Sequence, residues 1–117
     1  MPYISKQNNR RKELQNGATA QSAGELNYQI FYYIKHNRGL FCGEDRLVIE
    51  KFINQFLGDK PNYQKYNDMT GVLVRCYAEV ERRLDCNAII LYEILGGYDD
   101  EIAKYEDIKI KENGDVE

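Results

Sequence analysis

The chain has 117 residues, the size of one domain with a single core, and its 16 Lys and Arg against 19 Asp and Glu give a net charge of −3. This charge gives the whole molecule no attraction to polyanions, so DNA binding is disfavoured. Three cysteines without C-x-x-C spacing and a single histidine argue against a disulfide framework and the common zinc sites.

No apolar run has the length of a signal peptide core or a membrane span. The longest, residues 88–92, falls far short of the about 20 apolar residues that a transmembrane helix needs. We therefore expect a cytoplasmic protein that does not contact a membrane and that holds no metal or other cofactor.

Residues 1–23 are predicted to form a flexible N-terminal arm ahead of a single domain over residues 24–117. Residues 5–15 are polar, with Leu14 nearly the only large apolar side chain among them. The small, polar residues that follow as far as Gly24 are typical of a linker.

Apolar side chains spaced three and four apart predict three core helices in the domain. The first covers residues 25–37, the second follows Gly43 and stops at Gly58, and the third starts at Tyr63 and extends for about 20 residues. The same spacing continues to Gly96. We nevertheless expect a break at residues 85–87, because Asp, Cys and Asn all have poor helix propensity.

The C-terminal end is predicted to differ from the core helices in its secondary structure. A short helix fits residues 99–104, but Ile108 and Ile110 then alternate with lysines, which is the period of a strand. Asn113 and Gly114 form a strong turn signal. We therefore expect an all-α fold, a compact bundle of three to five helices with a mobile N-terminal arm and a short extended C-terminal tail.

Two asparagines are the first candidates for a binding site. Asn67 lies four residues before Gly71 on one helix face, and Asn27 lies near the start of the first core helix. One interpretation is structural: Gly71 admits a neighbouring backbone and Asn67 hydrogen-bonds to it. The other is that the asparagines meet Tyr28 and Tyr66 in a pocket for a nucleobase or small polar ligand.

Aromatic and basic side chains supply the remaining candidates. The chain has ten tyrosines, and exposed tyrosine suits protein interfaces and base stacking, although a ring with a solvated hydroxyl needs no partner. Arg82 and Arg83 suit the negative end of the long helix, and a phosphate-binding role is the alternative. No catalytic or metal-binding set is apparent, since the paired carboxylates are adjacent in sequence and point apart on a helix, so we expect no enzymatic activity.

Three segments carry a resemblance: GELNY at 24–28, Asn67 and GVL ahead of the Arg82–Arg83 pair, and YEDIKIKENGDV at 105–116. In this order they resemble a family of small uncharacterised proteins encoded by bacteriophages and their hosts. The apolar residues 85–103 depart from the family pattern and must be buried against the domain or another copy. The resemblance implies a phage setting, and so the host cytoplasm, but transfers no activity.

Two functional hypotheses follow. The leading one is a non-enzymatic phage-type protein that inhibits or modulates a host protein through its tyrosine-bearing surface. The alternative is an oligomeric sponge that sequesters a cyclic or other nucleotide signal of host defence. Wide apolar helix faces favour a homo-oligomer in either case. The candidate ligand-binding residues are Asn27, Tyr28, Tyr66, Asn67, Arg82 and Arg83.

Overall fold

The computed structural model describes residues 9–37, 43–84 and 88–114. These ranges contain helices and no strand. In chain order the helices are α1 (Arg10–Gln15), α2 (Ala23–His36), α3 (Gly43–Leu57), α4 (Tyr63–Leu84), α5 (Ile89–Gly96) and α6 (Asp99–Asn113). None of the described helices is both long and apolar enough to cross a membrane.

The core is centred on the packing of α2 against α4. Side chains of α2 spaced three and four apart face α4, whose own buried residues repeat at the same spacing, so two apolar stripes meet along most of α2. Helices α3 and α5 close the remaining sides. The fully buried side chains at the centre include Leu26, Ile30, Ile34, Met69, Leu73 and Val80.

The prediction of an all-α fold is confirmed, and the described ranges hold six helices where three to five were expected. Helices α2, α3 and α4 lie within a few residues of their predicted bounds. Helix α4 ends at Leu84 and α5 begins at Ile89, while the predicted break itself, at 85–87, lies outside the described residues. The apolar segment 88–98 is buried against the domain through Ala88, Leu91 and Ile94.

Residues 9–23 are packed on the domain, unlike the detached arm that the sequence predicted; residues 1–8 lie outside the described ranges. The Leu14 side chain is fully buried, and the buried Gln29 carboxamide donates to the backbone carbonyls of Leu14 and Ala18 at 2.9 and 2.8 Å. Arg10 and Glu25 add an ion pair at 2.7 Å, which lowers the pKa of Glu25. The polar composition of this segment did not indicate these contacts, because the Gln29 hydrogen bonds are accepted by backbone carbonyls, which every residue carries.

The prediction of an extended C-terminal tail is wrong, since residues 99–113 form the continuous helix α6. Three acids in its first turn suit the positive end of a helix. Ile108 and Ile110 are 55% and 41% exposed, so their alternation does not reflect a strand face buried against a surface. Gly114, with φ of 85°, follows the helix, and residues 115–117 lie outside the described ranges.

The tether of α1 predicts the effect of replacing Gln29. In Gln29→Leu, the Ala18 carbonyl loses its Gln29 donor and the Leu14 carbonyl keeps the Gly17 N–H alone, so we expect the free energy of unfolding to fall by about 1–3 kcal/mol in urea titrations. Gln21→Leu, an exposed position in the connection before α2, is the control and should change stability little. Equal stability of Gln29→Leu and the parent chain would contradict this role.

Candidate functional site

A cleft of about 280 Å³ lies where α1, the second half of α2 and the end of α4 meet. We call it the aromatic-basic cleft, because its lining combines aromatic rings with cations. None of the described residues that line it is an acid. They are Arg11, Gln15, Tyr28, Phe31, Tyr32, Lys35, His36 and Arg83.

Helical spacing explains the aromatic wall of this cleft. Tyr28, Tyr32 and His36 follow one another at intervals of four residues, so their rings lie one above the next along a single face of α2. The Tyr28 and Tyr32 rings are stacked with centroids 6.0 Å apart, and the Tyr32 and His36 rings are 4.2 Å apart. Gln15 of α1 donates to the Tyr28 hydroxyl at 2.8 Å, which fixes the first ring. The result is a continuous aromatic ladder.

Cations reach the cleft from two other helices. The Arg11 guanidinium lies 5.4 Å from the centre of the Tyr28 ring, and that of Arg83 lies 4.7 Å from the Phe31 ring, both within cation–π range. Arg83 is also 3.7 Å from a carboxylate oxygen of Glu79, whose side chain is only 3% exposed. Because Glu79 is one turn earlier on α4, it holds Arg83 at the mouth of the cleft.

Asn27 and Asn67 line a second cleft, also of about 280 Å³, between the first half of α2 and the middle of α4. We call it the amide cleft; its other lining residues are Ala23, Gly24, Asp68, Gly71, Val72 and Arg75. Asn27 is 5% exposed, and its carboxamide oxygen accepts a weak hydrogen bond from the Cys76 thiol at 3.5 Å. Burial raises the pKa of that thiol well above its usual range.

Gly71 does not serve packing within the chain. A Cβ at this position would meet no heavy atom within 4 Å, so no described neighbour approaches the Gly71 backbone. The helix-packing interpretation of Gly71 is therefore wrong for contacts inside the described chain. A glycine in the interior of a helix costs about 1 kcal/mol relative to alanine, and nothing in the described fold offsets that cost.

The six residues predicted from the sequence are divided among different places. Asn27 and Asn67 share the amide cleft, whereas Tyr28 and Arg83 share the aromatic-basic cleft. Tyr66 is 7% exposed and donates to the Glu101 carboxylate at 2.7 Å, so it fastens α6 to α4, and Arg82 is exposed outside both clefts. Asn67 also borders a small hollow beside Tyr66.

Sequence reasoning named two of the eight lining residues of the aromatic-basic cleft and missed six: Arg11, Gln15, Phe31, Tyr32, Lys35 and His36. The four-residue spacing of Tyr28, Tyr32 and His36 is a signal that identifies three members of one face. Arg11 had no such signal, because its helix was predicted to be a mobile arm.

No protein-family model matches this chain, and no curated protein or solved structure matches it either. Within the described ranges, no three His, Cys, Asp or Glu side chains gather in a group fit for a metal ion. Function must therefore be inferred from the side chains of the two clefts.

The contact between Tyr66 and Glu101 predicts an alkaline pH dependence of stability. Burial first, and then the adjacent Glu101 carboxylate, raise the pKa of Tyr66 to about 12, whereas an unfolded tyrosine titrates near about 10. The folded state therefore keeps this proton longer, so the stabilisation is complete below about pH 10 and is lost as the pH rises towards 12.

Tyr66→Phe should remove part of that loss, measured as the urea midpoint between neutral pH and pH of about 11. Tyr63→Phe is the matched control, since Tyr63 is 69% exposed on the same helix. An unchanged alkaline slope in Tyr66→Phe would contradict the assignment.

Proposed function

We propose that this chain is a non-enzymatic binding protein that captures a nucleotide in the aromatic-basic cleft. The observation that supports it is the ladder of Tyr28, Tyr32 and His36 rings beside the cations Arg11 and Arg83, in a cleft lined by no described acid. A nucleotide joins a flat aromatic base to a phosphate anion, and this lining offers a partner to each.

The two halves of the ligand would use different interactions. A base stacked on an aromatic side chain gains about 1–3 kcal/mol, and every base has a face to stack. Arginine offers a phosphate a planar pair of N–H donors, and Lys35 adds a mobile positive charge. Arg83 is positioned by an ion pair with Glu79 at 3.7 Å and by the Phe31 ring beside its guanidinium.

The size of the cleft favours a small ligand over a long strand. Its volume of about 280 Å³ lies just below the range of about 300–1,000 Å³ that is typical of ligand pockets. We therefore propose a mononucleotide or one unit of a cyclic or linear dinucleotide. Sequestration needs affinity and no chemical step, so the protein acts as a sponge for a nucleotide signal in the cytoplasm of a host cell, as the resemblance to phage proteins suggests.

Isothermal titration calorimetry with a panel of linear and cyclic mono- and dinucleotides tests this proposal. Tyr32→Ala removes the middle ring of the ladder and Lys35→Ala removes a cation, and we expect each to weaken binding roughly tenfold or more. Tyr63→Ala and Arg82→Ala are matched controls that alter the same residue type or charge at exposed positions outside the cleft, and they should bind as the parent chain does.

Two results would contradict the proposal. One is the absence of heat with every nucleotide in the panel. The other is binding that Tyr32→Ala and Lys35→Ala leave unchanged, because a nucleotide would then be held elsewhere on the protein.

A second candidate function, the capture of a host protein, is favoured by an exposed apolar patch between α4 and α5. The rings of Tyr77 and Tyr92 are 4.4 Å apart, and Tyr92 and Ile89 are 41% and 49% exposed. Exposed tyrosine and aliphatic side chains together resemble the centre of a protein interface.

If this patch binds a host protein, a substitution in the patch should abolish that binding, whereas a substitution in the aromatic-basic cleft should not. In pull-downs from host lysate, a protein retained by the parent chain should be lost with Tyr92→Ser and kept with Lys35→Ala. Retention by Tyr92→Ser would exclude this patch as the docking surface.

A further inference from the structure

The amide cleft has features that the nucleotide proposal does not use. Gly71 is exposed in the interior of α4 with open space above it, and Ala78, two turns later, is exposed on the same side. Asn67 lies one turn before Gly71 on this side, and Val74 and Arg75, which are also exposed, lie between Gly71 and Ala78. The described chain therefore leaves exposed a face of α4 that has its smallest residue at Gly71.

Asn27 supplies an independent sign that something enters this cleft. Its side chain is 95% removed from solvent and lines the cleft, and its carboxamide oxygen is used by the Cys76 thiol. Its two amide N–H donors have no hydrogen-bond partner among the described residues. These donors lie on the wall of the cleft and would gain from an acceptor that an incoming partner brings.

We propose that the amide cleft is a twofold interface in which α4 of a second copy of this chain packs antiparallel across Gly71. Asp68 and Arg75 lie three and four residues on either side of Gly71, and both line the cleft. An antiparallel copy related by an axis near Gly71 and Val72 places each Asp68 opposite Arg75 of the second copy. The contact is therefore self-complementary in charge, as a twofold interface requires.

The neighbouring side chains support this register. Seven residues span about 10 Å of helix, so the two ion pairs lie on either side of the axis and leave Gly71 free for close approach of the helices. Cys76 contacts Asn27 and follows Arg75, so the free amide of Asn27 lies on the wall that receives Asp68 of the second copy. The carboxylate then accepts from both the guanidinium and the amide.

Arg75 and Asp68 each make a contact within the chain that still leaves them able to form an ion pair across the axis. Arg75 is 63% exposed and touches Glu79 through one nitrogen at 3.3 Å, while a guanidinium carries five N–H donors. Asp68 accepts from Gln64 through one oxygen at 2.7 Å, and the second oxygen and further lone pairs can accept from elsewhere.

Sedimentation equilibrium of the full chain at micromolar concentrations, supported by native mass spectrometry, tests the interface. We expect the parent chain to form a species of twice its 13.7 kDa mass. Asp68→Arg puts arginines opposite one another at both ends and should weaken the dimer roughly tenfold or more. Lys51→Asp, an exposed charge change on α3, is the control and should have no effect.

Gly71→Leu tests the interface with a substitution that should not destabilise the fold. Leucine is a better helix former than glycine and its Cβ meets open space, so the variant should remain helical by circular dichroism, with an undiminished urea midpoint at dilution. It should be monomeric, because the two α4 helices can no longer approach. A parent chain that stays at 13.7 kDa, or a dimer that survives Asp68→Arg or Gly71→Leu, would overturn the proposal.

Discussion

The packing of α2 on α4 is the constraint on which the rest of the structure depends. Leu26, Ile30 and Ile34 form one stripe of this contact, and burying each such side chain contributes about 1.5–3 kcal/mol. The same contact sets the rotation of α2. Once those three residues face α4, the ring of Tyr32 must point elsewhere, since it lies about 200° around the helix from Ile30. The aromatic-basic cleft is therefore a consequence of how the core is packed.

Polar side chains buried along the contact between α2 and α4 hold α1 and Arg83 in place. Gln29 holds α1 through two backbone carbonyls, and Glu79 holds Arg83 over Phe31. A buried carboxylate is costly without compensation, and Glu79 has Arg75 and Arg83 within 4 Å. The electrostatic requirement of a buried acid thus places a cation at the mouth of the cleft, in a protein whose overall charge is negative.

Tyrosine hydroxyls fasten the outer helices. Tyr33 donates to Asp45 at 2.7 Å and Tyr98 donates to Asn54 at 2.6 Å, which ties α3 to α2 and to the start of α6. Tyr66 does the same between α4 and α6. Each ring buries apolar surface while its hydroxyl reaches a polar partner on another helix. Much of the high tyrosine content is thus structural, and of the tyrosines that the structure describes, Tyr28 and Tyr32 line the aromatic-basic cleft.

The sequence predicted those parts of the fold whose signal is periodic. Helices α2, α3 and α4 were found because their apolar residues recur every three or four positions over long stretches. Helix α1 was predicted as part of a flexible arm because its attachment depends on Gln29 in another helix. Helix α6 was predicted to end near residue 104, because residues 106–113 are exposed and show no apolar helix face. The site shows the same division: Asn27 and Asn67 both line the amide cleft, whereas Tyr28 and Tyr66, which were expected beside them, lie outside it. Arg11 joins the aromatic-basic cleft through the attachment of α1, which no local pattern reveals.

The two proposed surfaces use different parts of α2 and so do not compete. The amide cleft uses Ala23, Gly24 and Asn27 from its first half, whereas the aromatic-basic cleft uses Tyr28, Tyr32 and His36, which lie on another face and extend to the end of the helix. A dimer formed across Gly71 would leave each aromatic-basic cleft open, because no residue lines both. Each subunit then carries a complete site, with one nucleotide bound per chain, in contrast to a sponge whose pocket is assembled between subunits. Dimerisation and capture would be thermodynamically linked only through the shared packing of α2 on α4.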